Sequence, residues 1–155
     1  MNRIIQLISL LIIIITICFS CKKDDDWYHI SAYEENLNRY VNEYRQSQGK
    51  SLLNLQPVMV VEAQGHSKDW KESGDPVTGL QERFETVIEK LGGTNYGVIT
   101  MIAYGLSPDS VVNVWIADST ARTIMLNDYT QSGPGISEGD GNSIYITHMF
   151  LYIPD

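Results

Sequence analysis

The last apolar run of the chain, Ser143 to Ile153, constrains the fold more than any other stretch. Read with the two-residue period of a strand, it places Ile144, Ile146, His148 and Phe150 on one face and Tyr145, Thr147, Met149 and Leu151 on the other. Both faces are largely apolar, so both must be covered, and helices are expected on the two sides of the sheet that holds this strand. Before it, Gly133-Pro134-Gly135-Ile136-Ser137 leads into Glu138-Gly139-Asp140-Gly141-Asn142, where Asp140-Gly141 is a tight-turn pair.

The preceding chain supplies the helices. Ser31 and Glu34 form a capping box, Tyr33, Leu37, Tyr40, Val41 and Tyr44 mark one face, and Gly49 ends the first helix. Leu52, Leu53 and Leu55 read as a short apolar connection. Pro57 opens a second helix, along which Val58, Val61, Ala63, Gly65 and Trp70 lie, and Gly74 stops it. After the Asp75–Gly79 turn, a third helix runs from Leu80 to Leu91, with Phe84, Val87, Ile88 and Leu91 inward and Gly92-Gly93 as its stop. Val98 to Tyr104 is apolar and β-branched, a buried strand. A fourth helix starts with Ser107 as N-cap, Pro108 at the first position and Asp109 in the first turn. If it continues to Leu126, Val111, Val114, Trp115, Asp118, Ala121 and Met125 share a face.

A chain of 155 residues suits one domain with a real core, and its net charge of -8 makes nucleic acid and bare anionic lipid poor partners. The first twenty residues stand apart. Met1-Asn2-Arg3 is a positive start, and Ile4 to Ile17 is an apolar run too short for a comfortable membrane span. With Ser20 before Cys21, residues 1–20 resemble a bacterial lipoprotein signal, although Cys18 and Phe19 stand where an aliphatic and a small residue are usual. Cys21 is then the lipidated first residue, 21–31 a tether and 32–155 the folded domain; the short apolar run favours this over the alternative of a plain secretion signal or an ordinary membrane anchor. Lys22-Lys23-Asp24-Asp25-Asp26 resembles the export tag of surface lipoproteins in some Gram-negative bacteria, and equally a solvated tether. Cleavage and lipidation account for both cysteines, which leaves no disulfide, thiolate nucleophile or cysteine metal site in the domain.

Several local motifs then meet in order. Leu37–Arg45 resembles the first helix of the CAP superfamily, which comprises cysteine-rich secretory, antigen-5 and pathogenesis-related proteins. Glu62–Trp70 is similar to the A-x-x-H-S-x-x-M helix of bacterial members, Gln81–Phe84 to their E-R-(I/F) segment, and Ile102–Gly105 to the tail of E-N-I-A-x-G. Val112–Leu126 resembles V-x-x-W-x-x-S-x-x-H-R-x-x-I-L, Asp128–Ile136 the Y-T-x-x-G-x-G strand, and Tyr145–Phe150 the Y-x-T-Q-x-F strand. The resemblance spans Tyr33 to Ile153 and implies an α+β fold: a three-layer α-β-α sandwich of four helices around a small, mainly antiparallel sheet.

It also implies a cleft with two histidines and two acids, of the kind that binds a divalent metal in some members. This chain departs from that set. No histidine follows the second helix, the glutamate position falls on Thr100 with Met101 beside it, the second acid on Asp118, and the second histidine on Ala121, next to a retained Arg122. One of four positions keeps its chemistry, so no metal and no cofactor are implied.

Asp118 reads as a remnant ligand or base, or as the cap of a helical turn from Ser119 onward. His66 aligns outside the cleft as a packed or surface histidine, and His148 reads as a hydrogen-bonded core histidine near the cleft floor. Glu138, Asp140 and Asn142 mimic part of a calcium loop without its closing glutamate, and a solvated hairpin tip explains them. Ser67, Ser119 and Thr120 have no evident base, and Tyr33, Tyr40 and Tyr44, one helix face, are explained by packing. The expected function is that of a surface-anchored binding domain that has lost its catalytic-type tetrad and is not an enzyme. It would be held to the outer membrane of a Gram-negative bacterium through Cys21, and its partner would be an envelope or extracellular protein, a glycan or a small apolar ligand. The alternatives are an envelope hydrolase or metal-dependent enzyme built on Asp118, His148 and Thr100, and a purely structural component.

Overall fold

The computed structural model describes residues 28–154. The signal, Cys21 and most of the tether lie outside them. In chain order the elements are helix α1 (Ala32–Ser47), strand β1 (Asn54–Leu55), helices α2 (Pro57–Ser73) and α3 (Leu80–Leu91), strand β2 (Asn95–Tyr104), helices α4 (Pro108–Ala117) and α5 (Ser119–Leu126), and strands β3 (Gln131–Glu138) and β4 (Ser143–Tyr152).

The sheet order is β1-β3-β4-β2. Strand β4 sits at its centre, antiparallel to β3 and, over ten residues, to β2. Only β1, two residues long, runs parallel, beside β3. The two apolar faces of β4 are covered as expected. On one, Ile146 and Phe150 join Leu37 and Val41 of α1, Val111, Val112 and Trp115 of α4, and Met125 of α5. On the other, Met149 and Leu151 join Met59 and Ala63 of α2 and Phe84 and Val87 of α3. The three-layer α-β-α architecture follows from this two-sided strand.

Backbone approach fixes one of the layers. A Cβ on Gly133 would overlap Met59, and one on Gly135 would overlap the backbone of Ala63 and Gln64. Helix α2 therefore lies directly on the β3 backbone, and these two glycines make that contact possible.

Four details differ from the sequence reading. The described residues form five helices, because the expected fourth breaks at Asp118, whose backbone is extended (φ -79, ψ 124). The short apolar connection contains β1, which a two-residue run cannot announce by periodicity. Ser107 holds the N-cap position of α4, but its side chain caps no backbone N–H; its hydroxyl lies 3.0 Å from that of Ser110. In the hairpin tip the left-handed pair is Gly141 and Asn142, one residue beyond Asp140-Gly141, and the turn closes from Ser143 N–H to the Asp140 carbonyl.

Candidate functional site

A cleft of about 400 Å³ opens between the edge strand β2 and the α4–α5 corner. Val98, Ile99 and Met101 form one wall, and Val114, Trp115, Ala121 and Ile124 form much of the other, with Asp118 and Thr120 at the lip. The volume falls within the range of small-molecule sites, and the lining is mostly apolar.

The local sequence explains the corner. Asp118 ends α4 and caps α5: its Oδ1 accepts the Ala121 N–H at 2.7 Å. Arg122 Nη1 donates to the Ile116 carbonyl at 2.7 Å, bracing the same break from the other side. Capping and bracing thus account for the acid and the arginine retained here. Ala121, nearly buried, leaves space where a larger side chain would fill the cleft.

Thr100, Asp118 and Ala121 all border this one cleft. Thr100 borders it only partly, because it is paired with Thr147 across β2 and β4 and so directs its side chain to the α2–α3 face of the sheet. His148 does not line the cleft. It is fully buried below it, stacked on Phe150 with centroids 4.6 Å apart and edge-on to Trp115 at 5.9 Å. The expectation of a hydrogen bond here is corrected: neither ring nitrogen has a partner within the described residues, and the same holds for Trp115 Nε1. The side chains around His148 are apolar, so burial pushes its imidazole down to about 3, and the ring is neutral at pH 7.

His66 is packed away from the cleft. Its Nδ1 is 2.7 Å from Thr147 Oγ1 and its Nε2 is 3.1 Å from the Pro76 carbonyl. The carbonyl can only accept, so Nε2 carries the proton and Nδ1 accepts from the threonine. Ser67 Oγ lies 2.9 Å from both Thr147 Oγ1 and the Gly135 carbonyl. A hydroxyl held on an imidazole nitrogen is the arrangement of an activated nucleophile. Here all three side chains are fully buried, which makes the group a polar pin between α2 and the sheet.

Sequence reasoning missed two buried charges. Glu34 completes the predicted capping box and also accepts from Gln64 Nε2 and from the Ile136 N–H at 3.0 Å, tying α1 to α2 and β3. Arg45 is buried and donates to the carbonyls of Ser51, Met125, Asn127 and Tyr129. Burial lowers its pKa, and the nearby Asp128 opposes that shift. The capping box gave a signal for Glu34; no local pattern marks Arg45, whose partners lie up to 84 residues away.

Among the described residues, no group of three or more histidine, cysteine, aspartate or glutamate side chains is placed to hold a metal ion. Glu138 and Asp140 instead border a polar hollow at the hairpin tip with Lys71, Tyr104 and Tyr145.

Comparison with known proteins accords with this architecture. An outer surface protein from Borrelia burgdorferi superposes with a TM-score of 0.62 at 16% identity, over 82% of this chain and 99% of that one. A cysteine-rich secretory protein from Staphylococcus aureus gives 0.61 at 16% identity, over 78% of this chain and 38% of that one. An extracellular protein containing an SCP domain from Bacillus anthracis gives 0.61 at 22% identity, over 77% and 41%. No curated protein sequence matches the chain significantly. The model of the cysteine-rich secretory protein family matches residues 39–150, which include β2, the α4–α5 corner and most of β4, and the chain belongs to that CAP family.

Proposed function

We propose that this domain is a binding module rather than an enzyme, and that the β2/α4–α5 cleft takes a small, largely apolar ligand. One observation carries the reading: among the described residues Asp118 is the only ionisable side chain lining the cleft, and its carboxylate caps α5. Acid–base or metal-assisted chemistry needs at least a second poised group, and the nearest imidazole, His148, is buried beneath the floor. Thr100, Asp118 and Ala121 are in this reading what remains of a tetrad whose chemistry has been replaced by apolar lining. That lining suits a small apolar ligand better than a glycan.

The anchor at Cys21 and display on the outer surface belong to the same proposal. The signal-like residues 1–20 support it, as does the surface or extracellular character of the bacterial proteins that share the fold.

The test is a titration with the neutral fluorophore 1-N-phenylnaphthylamine. The parent chain and Asp118→Ala should both enhance its emission saturably, and Ala121→Phe, which fills the cleft, should not. Equal binding by Ala121→Phe would move the ligand elsewhere. Loss of binding in Asp118→Ala alone would return the carboxylate to the centre of the site.

A further inference from the structure

Strand β2 is the open edge of the sheet. Among the described residues it pairs with β4 over ten residues and with no other strand, whereas the opposite edge is the two-residue β1. Natural proteins protect a long edge with lysine, proline, a bulge or a covering element. Residues Asn95 to Tyr104, N-Y-G-V-I-T-M-I-A-Y, contain no charge and no proline, and the pairing with β4 runs without a bulge. Tyr96, Tyr104 and the adjacent Val114 are among the few large apolar side chains exposed on the surface. The cleft, and no further strand, lies beside Val98, Ile99, Thr100 and Met101 among the described residues.

The strand is also complementary to itself. In an antiparallel pairing centred on Thr100, Tyr96 faces Tyr104, Val98 faces Ile102, and Thr100 faces its own copy, all on the α2–α3 side. On the other side Gly97 faces Ala103 and Ile99 faces Met101. Aromatic–aromatic, β-branched and threonine–threonine pairs are the favoured cross-strand contacts. A shift of one residue sets a tyrosine against alanine in one direction or glycine in the other, and turns opposite faces of the two sheets together. A two-fold contact requires this kind of self-complementarity.

We propose that β2 is a homodimerisation edge: two copies of this chain join their sheets through antiparallel β2–β2 pairing about a two-fold axis at Thr100, forming one continuous eight-stranded sheet. The inference does not rest on the ligand assigned to the cleft, but the two share Val98, Ile99, Thr100 and Met101, so pairing and ligand entry bear on one another.

Cysteine cross-linking of the full chain in cells tests both the contact and its register. The parent, whose native cysteines are Cys18 and Cys21, supplies the background. Directly opposed residues in an antiparallel pair lie about 4.5–5.5 Å apart at Cα, within disulfide reach. Thr100→Cys should therefore give, on mild oxidation, a reducible species of twice the chain mass. Val98 and its copy are four residues apart in this register, roughly 14 Å, so Val98→Cys alone should stay at background. The Val98→Cys/Ile102→Cys double variant should cross-link again, because those two positions face each other. Background-level cross-linking by Thr100→Cys and by the double variant would overturn the proposal. Equal cross-linking by Val98→Cys and Thr100→Cys would overturn it too, by revealing random collision instead of a register.

Discussion

Replacing His148 by leucine should make the fold markedly more resistant to acid. In the folded chain the imidazole is fully buried without a hydrogen-bond partner, and its pKa is about 3. In the unfolded chain it titrates near its ordinary value of about 6.5. A depressed folded-state pKa means that the unfolded state takes up the proton first as pH falls. The stability tied to His148 is then complete above about pH 6.5, declines as the pH drops from there to about 3, and is constant below. The full span is roughly 3.5 pKa units, or about 5 kcal/mol, of which about 2 kcal/mol is lost between pH 7 and pH 5. That matters for a domain whose total stability is on the order of 5–15 kcal/mol. Leucine is close in volume and has no proton to gain. At pH 7 it should leave stability within about 1 kcal/mol of the parent, because removing two unpartnered polar atoms offsets the lost ring stacking. Urea unfolding of both chains at pH 7, 6 and 5 reads the difference directly. The parent midpoint should fall faster by about 1 M over that range, given a slope of roughly 1–3 kcal/mol per molar urea. His66 is present in both chains and cancels in the comparison. Parallel midpoint curves would refute the argument, since they would mean that His148 is protonated or hydrogen-bonded in the fold.

Other substitutions test the remaining structural claims. Gly135→Ala should cost about 3 kcal/mol or more in urea unfolding, because the new methyl would meet the backbone of α2, which has nowhere to go. Arg45→Met should cost about 3 kcal/mol, since it strands buried carbonyls that the guanidinium now satisfies, and thermal unfolding would register this as a large drop in Tm. Glu34→Ala should remove about 2 kcal/mol and speed hydrogen exchange at the Ile136 amide, whose acceptor it deletes. Asp118→Ala should cost only about 1 kcal/mol, the usual value of an N-cap, in the same urea experiment.

The layers of the fold were legible because they rest on short-range patterns. The two-sided period of Ser143–Ile153, the Ser31–Glu34 capping box and the Leu80–Leu91 helix with its glycine stop each state their structure within about ten residues. The break at Asp118 was half-legible. The apolar spacing runs through it, while the Asp-Ser-Thr string favours a new cap, and the cap prevailed because its hydrogen bond serves the first turn of α5. The cleft was harder to read. Thr100, Asp118 and Ala121 could be placed near one another only by likeness to the CAP family; that Thr100 turns to the far face depends on the β2–β4 register, which a single strand does not reveal. His148 looked like a polar residue in need of a partner. Its isolation follows from Trp115 and Phe150, one of them 33 positions away along the chain. Arg45 was missed for the same reason, since every one of its acceptors beyond Ser51 comes from the segment after α5 or its last turn.

The most direct test of the binding reading is a crystal structure of the chain from residue 28, with one crystal soaked in 1-N-phenylnaphthylamine and another in zinc. The account predicts ordered fluorophore between β2 and the α4–α5 corner, in contact with Ala121 and Ile124, and no zinc at Asp118. Zinc held by Asp118 in a cleft that leaves the fluorophore out would contradict it.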